Sequence, residues 1–254
     1  MDLGIKGLRV LVTAGASGIG LEISRAFVRE GARVHICDVD SQALAAVAKS
    51  DPALTQSVCD VSDRAQVSKL IDDALKSLGG LDCLVNNAGW TRRVPHRRLE
   101  DLTDEIWERV LATNLRGPFY CARAAVPHME RRAGGAIVNI TSVAGATGTG
   151  SSMAYAASKG GLDTLTKSLA RALAPSRIRV NAVAPSLLDT GFGGGFITPD
   201  VLAQTGRFTP IGRPVTVEEV AQAVVFLLGH DATTGYTSIV DGGLTALGPM
   251  DPAR

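Results

Sequence analysis

The chain has 254 residues, of which 45% are hydrophobic, 20% charged and 4% aromatic, with a formal net charge of +1. This balance excludes a disordered chain. Near-neutrality and few aromatic side chains leave no footprint for nucleic acid or an anionic membrane surface, so neither is expected as a partner.

The length suits one nucleotide-binding α/β domain, expected to span 1–254. Four cysteines (Cys37, Cys59, Cys83, Cys121) stand apart in apolar runs without CxxC spacing, and His35, His96, His128 and His230 form no HExxH pair. Buried free thiols and no metal are therefore expected. Such thiols suit a reducing cytoplasm. The opening MDLGIKGLRVLVTAG enters a strand within a few residues and resembles no secretory signal, and no long apolar run follows, so a cytoplasmic protein is expected.

In chain order, β-branched runs alternate with helix-length segments: RVLVTA, RVHICD, TQSVCD, CLVNNAG, AIVNITS, RIRVNAVAP and SIVDGG read as strands. Ile19 to Glu30 reads as a helix stopped at Gly31. Ser62 reads as the N-cap of another, with Asp63 adding an acid to its first turn. Strands alternating with helices imply a Rossmann-type, doubly wound parallel sheet of about seven strands with helices on both faces. The glycine-rich stretch Asp189 to Phe196 follows the sixth strand, where open α/β sheets place their ligands. Segment 187–213 is thus the expected substrate loop, with Gly191 to Phe196 as its closing lid.

Chemistry gathers at two places. The first strand runs into Thr13-Ala-Gly-Ala-Ser-Gly-Ile-Gly20 and then a helix, which aims backbone N–H groups at a pyrophosphate. Gly15, Ser17, Gly18, Ile19 and Gly20 are the expected contacts. Asp38 ends the second strand, where its carboxylate accepts hydrogen bonds from a ribose 2′-hydroxyl and repels the 2′-phosphate of NADP, so NAD(H) is the expected cofactor. Tyr155 and Lys159 form an i,i+4 pair on one helix face, downstream of Ser142 and of Asn114 in the helical segment EIWERVLATNLRG.

These motifs together closely resemble the single-domain short-chain dehydrogenase/reductase family over nearly the whole chain. The resemblance rests on SGIG, on CDVSD with Asp60, on NNAG (Asn86 to Gly89), on Asn114, Ser142, Tyr155 and Lys159, on NAVAPS with Thr190, and on VDGG. It implies a catalytic set of Asn114, Ser142, Tyr155 and Lys159. It further implies that Asp60 with Val61 contacts adenine, that Asn86, Ala88 and Gly89 line the adenosine side, and that Pro185 and Thr190 flank the nicotinamide carboxamide. Lys159 is implied to hold the nicotinamide ribose, Asn114 to seat a water, and the protein to be a homotetramer joined through segments 105–130 and 153–173. Three departures stand out: Ala14 replaces the first fingerprint glycine, Ser186 replaces the glycine after Pro185, and HDATTG is short.

The expected activity is hydride transfer between nicotinamide and a carbonyl or secondary alcohol, as in 3-oxoacyl-thioester reductases or sugar and polyol dehydrogenases. The alternative is a non-catalytic NAD(H)-sensing or scaffold protein on the same fold. Tyr155 is expected as the acid/base, its pKa lowered by Lys159 and the nicotinamide. Trp90 begins the expected pocket wall. The basic cluster Arg92 to Arg98 reads either as a solvated or subunit surface or as a site for an anionic substrate or carrier.

Overall fold

Seven parallel strands, in the order β3-β2-β1-β4-β5-β6-β7, form one sheet in the computed structural model, which describes residues 3–132, 134–192 and 197–250. In chain order the elements are β1 (Arg9–Thr13), α1 (Gly18–Arg29), β2 (Arg33–Asp38), α2 (Ser41–Ser50), β3 (Leu54–Val58), α3 (Arg64–Leu78) and β4 (Cys83–Asn86). Next come α4 (Asp104–Leu111), a π-helical turn (Ala112–Arg116), α5 (Gly117–Glu130), β5 (Gly135–Ile140), the short α6 (Ala144–Thr147) and α7 (Met153–Leu173). The chain finishes with β6 (Ile178–Pro185), α8 (Pro199–Phe208), α9 (Val217–Gly229), β7 (Thr237–Val240) and the short α10 (Leu244–Leu247). Each of the seven strand-like runs yields its strand, and the Rossmann-type expectation holds.

Alternation along each strand feeds two cores. Val10 and Val12 of β1, Cys83 and Val85 of β4 and Val138 of β5 face a cluster with Phe27 of α1 and Val224 of α9. Leu11, Leu84 and Ile137 point the other way, onto Leu70 of α3 and Met129 of α5. A sheet apolar on both faces needs helices on both, which is why β1, β4 and β5 are buried along almost their whole length.

Local capping explains the helix starts and corrects one expectation. Ser62 does not cap α3: Asp63 does, accepting from the N–H groups of Ala65 and Gln66, while Ser62 donates its hydroxyl proton to Asp60. A carboxylate on two first-turn amides outcompetes a hydroxyl that has a nearer partner. α8 was hidden inside the stretch read as a loop, although Thr198 caps it and Pro199 opens it, a combination that marks a helix start. The short HDATTG connection is fixed to β6, with Thr234 Oγ1 accepting from Val180 N–H and Thr233 O from the Asn181 side chain. No helix of the described residues is long and apolar enough to cross a membrane.

The strand order reverses beside β1: β2 and β3 lie to one side, β4 to β7 to the other. Loops leaving β1 and β4 diverge there and open a crevice at the carboxyl ends of the strands, the place where open α/β sheets bind ligands.

Candidate active site

A cleft of about 750 Å³ occupies that crevice, with Asp38 and Asp60 toward one end and Tyr155 and Lys159 in its wall. Its floor is the turn between β1 and α1. Ser17 caps α1 in backbone conformation only, since its side chain accepts no first-turn amide, whereas α2, α3, α4, α7, α8 and α9 all start on a filled side-chain cap. The amides at the start of α1 are therefore left for an anion. Space around the turn is tight: a Cβ on Gly20 would lie 2.1 Å from Ala14 O, and one on Gly15 would lie 2.6 Å from Ile36 Cβ. Gly15 and Gly20 thus serve by close packing and do not line the cleft, while Ser17, Gly18 and Ile19 do.

Ala14 sits at φ +50°, a left-handed conformation that favours glycine. The alanine at this fingerprint position is therefore held in a strained conformation. Asn87 clamps the same turn, its Nδ2 donating to Thr13 O at 3.1 Å and to Ala14 O at 3.0 Å.

Asp38 lines the cleft, its two carboxylate oxygens accepting from the backbone N–H groups of Ala16 and Asp40 at 3.2 and 3.1 Å. Asp60 Oδ1 is occupied by Ser62, and Val61, Ala88, Gly89, Pro185 and Thr190 also reach the cleft wall. Asn86 does not. Its side chain is 2% exposed and donates to Asn139 Oδ1 at 2.9 Å, inside the sheet. Neighbouring residues at a strand end face opposite sides, so the cleft receives Asn87, which sequence reasoning passed over. Ser186, the second departure, lines the cleft and donates its N–H to Val240 O.

The uncapped turn, the absence of room for side chains at Gly15 and Gly20, and a carboxylate at the end of β2 all fit a nicotinamide dinucleotide lying across the strand ends. Gly18 faces Thr190 across the cleft, where a Cβ would come within 3.2 Å of Thr190 Cβ.

Ser142, Tyr155 and Lys159 meet in this cleft. Ser142 follows β5, with Oγ accepting from Ala144 N–H at 3.2 Å. Tyr155 and Lys159 lie on α7, started by Ser152, whose Oγ accepts from Tyr155 N–H. Two glycines bring these pieces together: a Cβ on Gly145 would lie 2.7 Å from the backbone at Lys159 and Gly160. Lys159 is 4% exposed, donates Nζ–H to Ile140 O at 2.7 Å, and lies 5.8 Å from the Tyr155 ring centroid.

Burial acts on both groups. It pushes the Tyr155 hydroxyl up to about 12, against a smaller opposing pull from its hydrogen bond with Ser142, although part of the ring faces the open cleft. The expected lowering rested on Lys159 and the positive nicotinamide together; in the protein alone, desolvation of the phenolate is the larger effect. The Lys159 ammonium is pushed down to about 8 by burial, with Asp163 pulling the other way.

Asn114 is fully buried in the π-helical turn, and its side chain is spent. Nδ2 donates to Trp90 O at 3.0 Å and Ser158 Oγ at 3.1 Å, and Oδ1 accepts from Trp90 N–H at 2.7 Å. The expected water is thus not seated by the amide donors, both of which are used. Interior π turns recur at functional sites because they misalign backbone groups from the helix ladder.

Trp90 lines the cleft with Arg109 4.3 Å above its ring, and Phe192 packs at 6.0 Å from the Tyr155 ring in a tilted arrangement. Arg109 was not singled out from sequence, whereas Phe192 falls within the expected lid, Gly191 to Phe196. Leu187, Leu188, Ile197, Val201 and Thr205 also line the cleft, so segment 187–213 contributes to its wall. The core of the expected lid, 193–196, lies outside the described residues. Among the described residues no group of histidines, cysteines and carboxylates could hold a metal, and all four cysteines are free and buried.

Comparison with known proteins agrees with this geometry. A family model described as enoyl-(acyl carrier protein) reductase matches residues 13–245. The cis-4-hydroxycyclohexanecarboxylate dehydrogenase of Sinomonas cyclohexanicum is 41% identical over 243 residues, covering 93% of this chain and 96% of its own. A gluconate 5-dehydrogenase from Burkholderia cenocepacia, solved with NADP and tartrate, superposes with a TM-score of 0.87 at 34% identity, covering 95% of this chain and 96% of its own. The 3-ketoacyl-(acyl-carrier-protein) reductase of Brucella melitensis, solved with NADH, gives 0.87 at 30%, covering 94% and 98%. A seven-stranded parallel sheet, a serine, tyrosine and lysine converging on the cleft at its strand ends, and matches over nearly the full length carry one conclusion: the chain belongs to the single-domain short-chain dehydrogenase/reductase family and is an oxidoreductase of carbonyl and CH–OH groups.

Proposed function

We propose that the protein is an NAD(H)-dependent oxidoreductase that uses the whole chain as one cofactor-binding and catalytic domain, with Asn114, Ser142, Tyr155 and Lys159 as its catalytic set. The observation that carries this reading is that Ser142, Tyr155 and Lys159 share one cleft with Asp38. The nicotinamide, when bound, supplies or accepts the hydride. Ser142 Oγ and the Tyr155 hydroxyl stabilise the negative charge that builds on the carbonyl oxygen, and Tyr155 delivers the proton. Because burial holds Tyr155 near 12, its hydroxyl is protonated at neutral pH, the form that reduction needs. In the oxidative direction the phenolate is favoured by the Lys159 ammonium, still mostly charged at pH 7, and by the positive oxidised nicotinamide. Asn114 acts as a positioning residue, holding the π turn against Trp90.

NAD rather than NADP rests on Asp38. The solved relatives hold one cofactor each way, so the family alone does not decide. A 2′-phosphate about 4 Å from a carboxylate is repelled by roughly 4 kcal/mol at an effective dielectric near 20. Half of that after screening, with lost ribose hydrogen bonds added, gives a preference above about a hundredfold.

The substrate is a carbonyl or secondary alcohol compound of the 3-oxoacyl-thioester, sugar, polyol or hydroxy-acid kind. Exposed Trp107, Phe119 and Met153 on α4, α5 and α7 support a homotetramer joined through 105–130 and 153–173, and four reduced, buried cysteines support a cytoplasmic setting.

The test follows nicotinamide absorbance with NADH and NADPH against ketones, 3-oxoacyl thioesters and sugars, then repeats it with Tyr155→Phe. The variant should lose about two to four decades of kcat and keep NADH binding. Activity within a few-fold of the parent overturns Tyr155 as acid/base, and equal use of NADPH overturns Asp38 as the ribose reader. NADH binding without turnover of any compound favours a sensing or scaffold protein.

A further inference from the structure

The basic cluster of the sequence separates into members with different surroundings. Arg98 is tied to Asp101 at 2.9 Å, and Arg92 and Arg97 are exposed outside the cleft. Arg93 alone of the cluster's arginines reaches the cleft wall, which it shares with Arg109, sixteen residues further on in the last turn of α4. Among the described residues neither guanidinium forms an ion pair, and the only carboxylates lining the cleft, Asp38 and Asp60, belong to the cofactor end.

Both arginines stand on a fixed wall. Trp90 is bound through its own N–H and C=O to the Asn114 side chain, and Arg109 lies 4.3 Å over its ring. Thr91 pairs with the Ser151 hydroxyl, and Val94 N–H donates to Ser151 O at 2.8 Å. Ser151 adjoins Ser152, which caps the helix of Tyr155. The wall that carries Arg93 and Arg109 is therefore locked to the segment that sets the catalytic hydroxyl. Stacking on an aromatic face holds a guanidinium's orientation while leaving its N–H edge free, and that edge matches a carboxylate, sulfonate or phosphate.

We propose that Arg93 and Arg109 form a subsite for an oxyanion group carried by the substrate away from its reacting carbon. The reading rests on the oxidoreductase assignment for its purpose, and its binding test is independent of turnover. The arrangement selects hydroxy- or keto-compounds with a negatively charged end and disfavours their neutral analogues.

Isothermal titration of NAD-saturated protein with cyclohexanecarboxylate, cyclohexanesulfonate and cyclohexyl phosphate, against neutral cyclohexanecarboxamide, tests the subsite and ranks the three anions. At least one anion should bind tenfold or more tighter than the amide. Arg93→Gln and Arg109→Gln should each remove most of that margin, and Arg97→Gln, outside the cleft, should leave it intact. All three arginines are exposed, so the variants are expected to fold. A matched kinetic pair, 4-oxocyclohexanecarboxylate and its methyl ester, should differ mainly in KM. Equal binding of anions and amide, or an equal loss in Arg97→Gln, overturns the subsite. Anion binding lost in both cleft variants, without hydride transfer to any ketone, leaves the subsite standing and removes the oxidoreductase reading.

Discussion

The two ends of the cleft are built by different means. At the cofactor end the backbone itself is the binding surface: Gly15 and Gly20 have no room for a side chain, Ala14 is held left-handed, and Asn87 ties the turn down by its carbonyls. At the substrate end the surface is made of side chains from separate segments, among them Trp90, Arg93, Arg109, Phe192 and Val201. A site made of backbone tolerates few residue types, and a site made of side chains tolerates many. Damage should therefore be general at the first end and selective at the second.

Gly20→Ala should give the largest effect of that kind. Its methyl would collide with Ala14 O and with Asn87 Nδ2, 2.5 Å away, so the turn must open. Overpacking of this sort costs about 1–3 kcal/mol of stability, and displacement of the α1 amides should weaken NADH by roughly a hundredfold. Phe192→Ala, at the other end, should leave NADH affinity within about threefold while altering substrate KM. Fluorescence titration of NADH reads both, and equal losses in the two variants would erase the distinction drawn above.

A smaller, pH-dependent effect is expected at the junction of the two ends. Burial lowers Lys159 to about 8 in the folded protein, below its ordinary 10.5, so the unfolded chain holds the proton longer. The contribution of Lys159 to stability should then rise with pH from about 8 upward, by at most about 3 kcal/mol once the full difference is spanned. Tyr155, raised to about 12, works in the opposite direction only above pH 10. The thiols of Cys83 and Cys121, raised by burial, and of Cys37, raised by its hydrogen bond with Cys59 and by burial, oppose Lys159 from about pH 9, so its contribution is read as a difference between parent and variant. Denaturant titrations between about pH 8 and 10 should show the parent gaining stability relative to Lys159→Met as pH rises, with the thiols cancelling in the difference. Carbonyl reduction should decline above pH 8, as the ammonium that supports Tyr155 is lost.

The smallest effect belongs to Ala14→Gly. Relief of the left-handed strain, about 1–2 kcal/mol, is partly offset by the greater freedom of glycine in the unfolded chain, leaving about 1 kcal/mol of added stability. Chemical denaturation reads it. A loss of stability would mean that the methyl makes contacts that outweigh the strain.

The same contrast explains what the sequence disclosed. Strand runs such as RVLVTA and AIVNITS were legible because a sheet covered on both faces demands apolar, β-branched residues, and SGIG, Asp38, Tyr155 and Lys159 because few residue types can do their work. Asn87 was hidden behind Asn86: both are asparagines, and only strand alternation separates the one facing the cleft from the one bound to Asn139. That signal was present and unused. Arg109 left no such trace, since an arginine on an exposed helix face looks alike whether it meets water or a substrate; only the fold brings it over Trp90. The cap of α3 shifted from Ser62 to Asp63 because Ser62 had a competing partner in Asp60, a tertiary choice that local pattern does not record.

The way Asn114 holds Trp90 bears on how such a protein changes its diet over evolutionary time. The amide grips the backbone of residue 90 and ignores the indole, so the anchor works whatever side chain stands there. Position 90 can be exchanged, and its neighbour Arg109 with it, without pulling on the turn that sits beside Ser158 and the lysine helix. New substrates can then be sampled one wall residue at a time while proton transfer stays in working order.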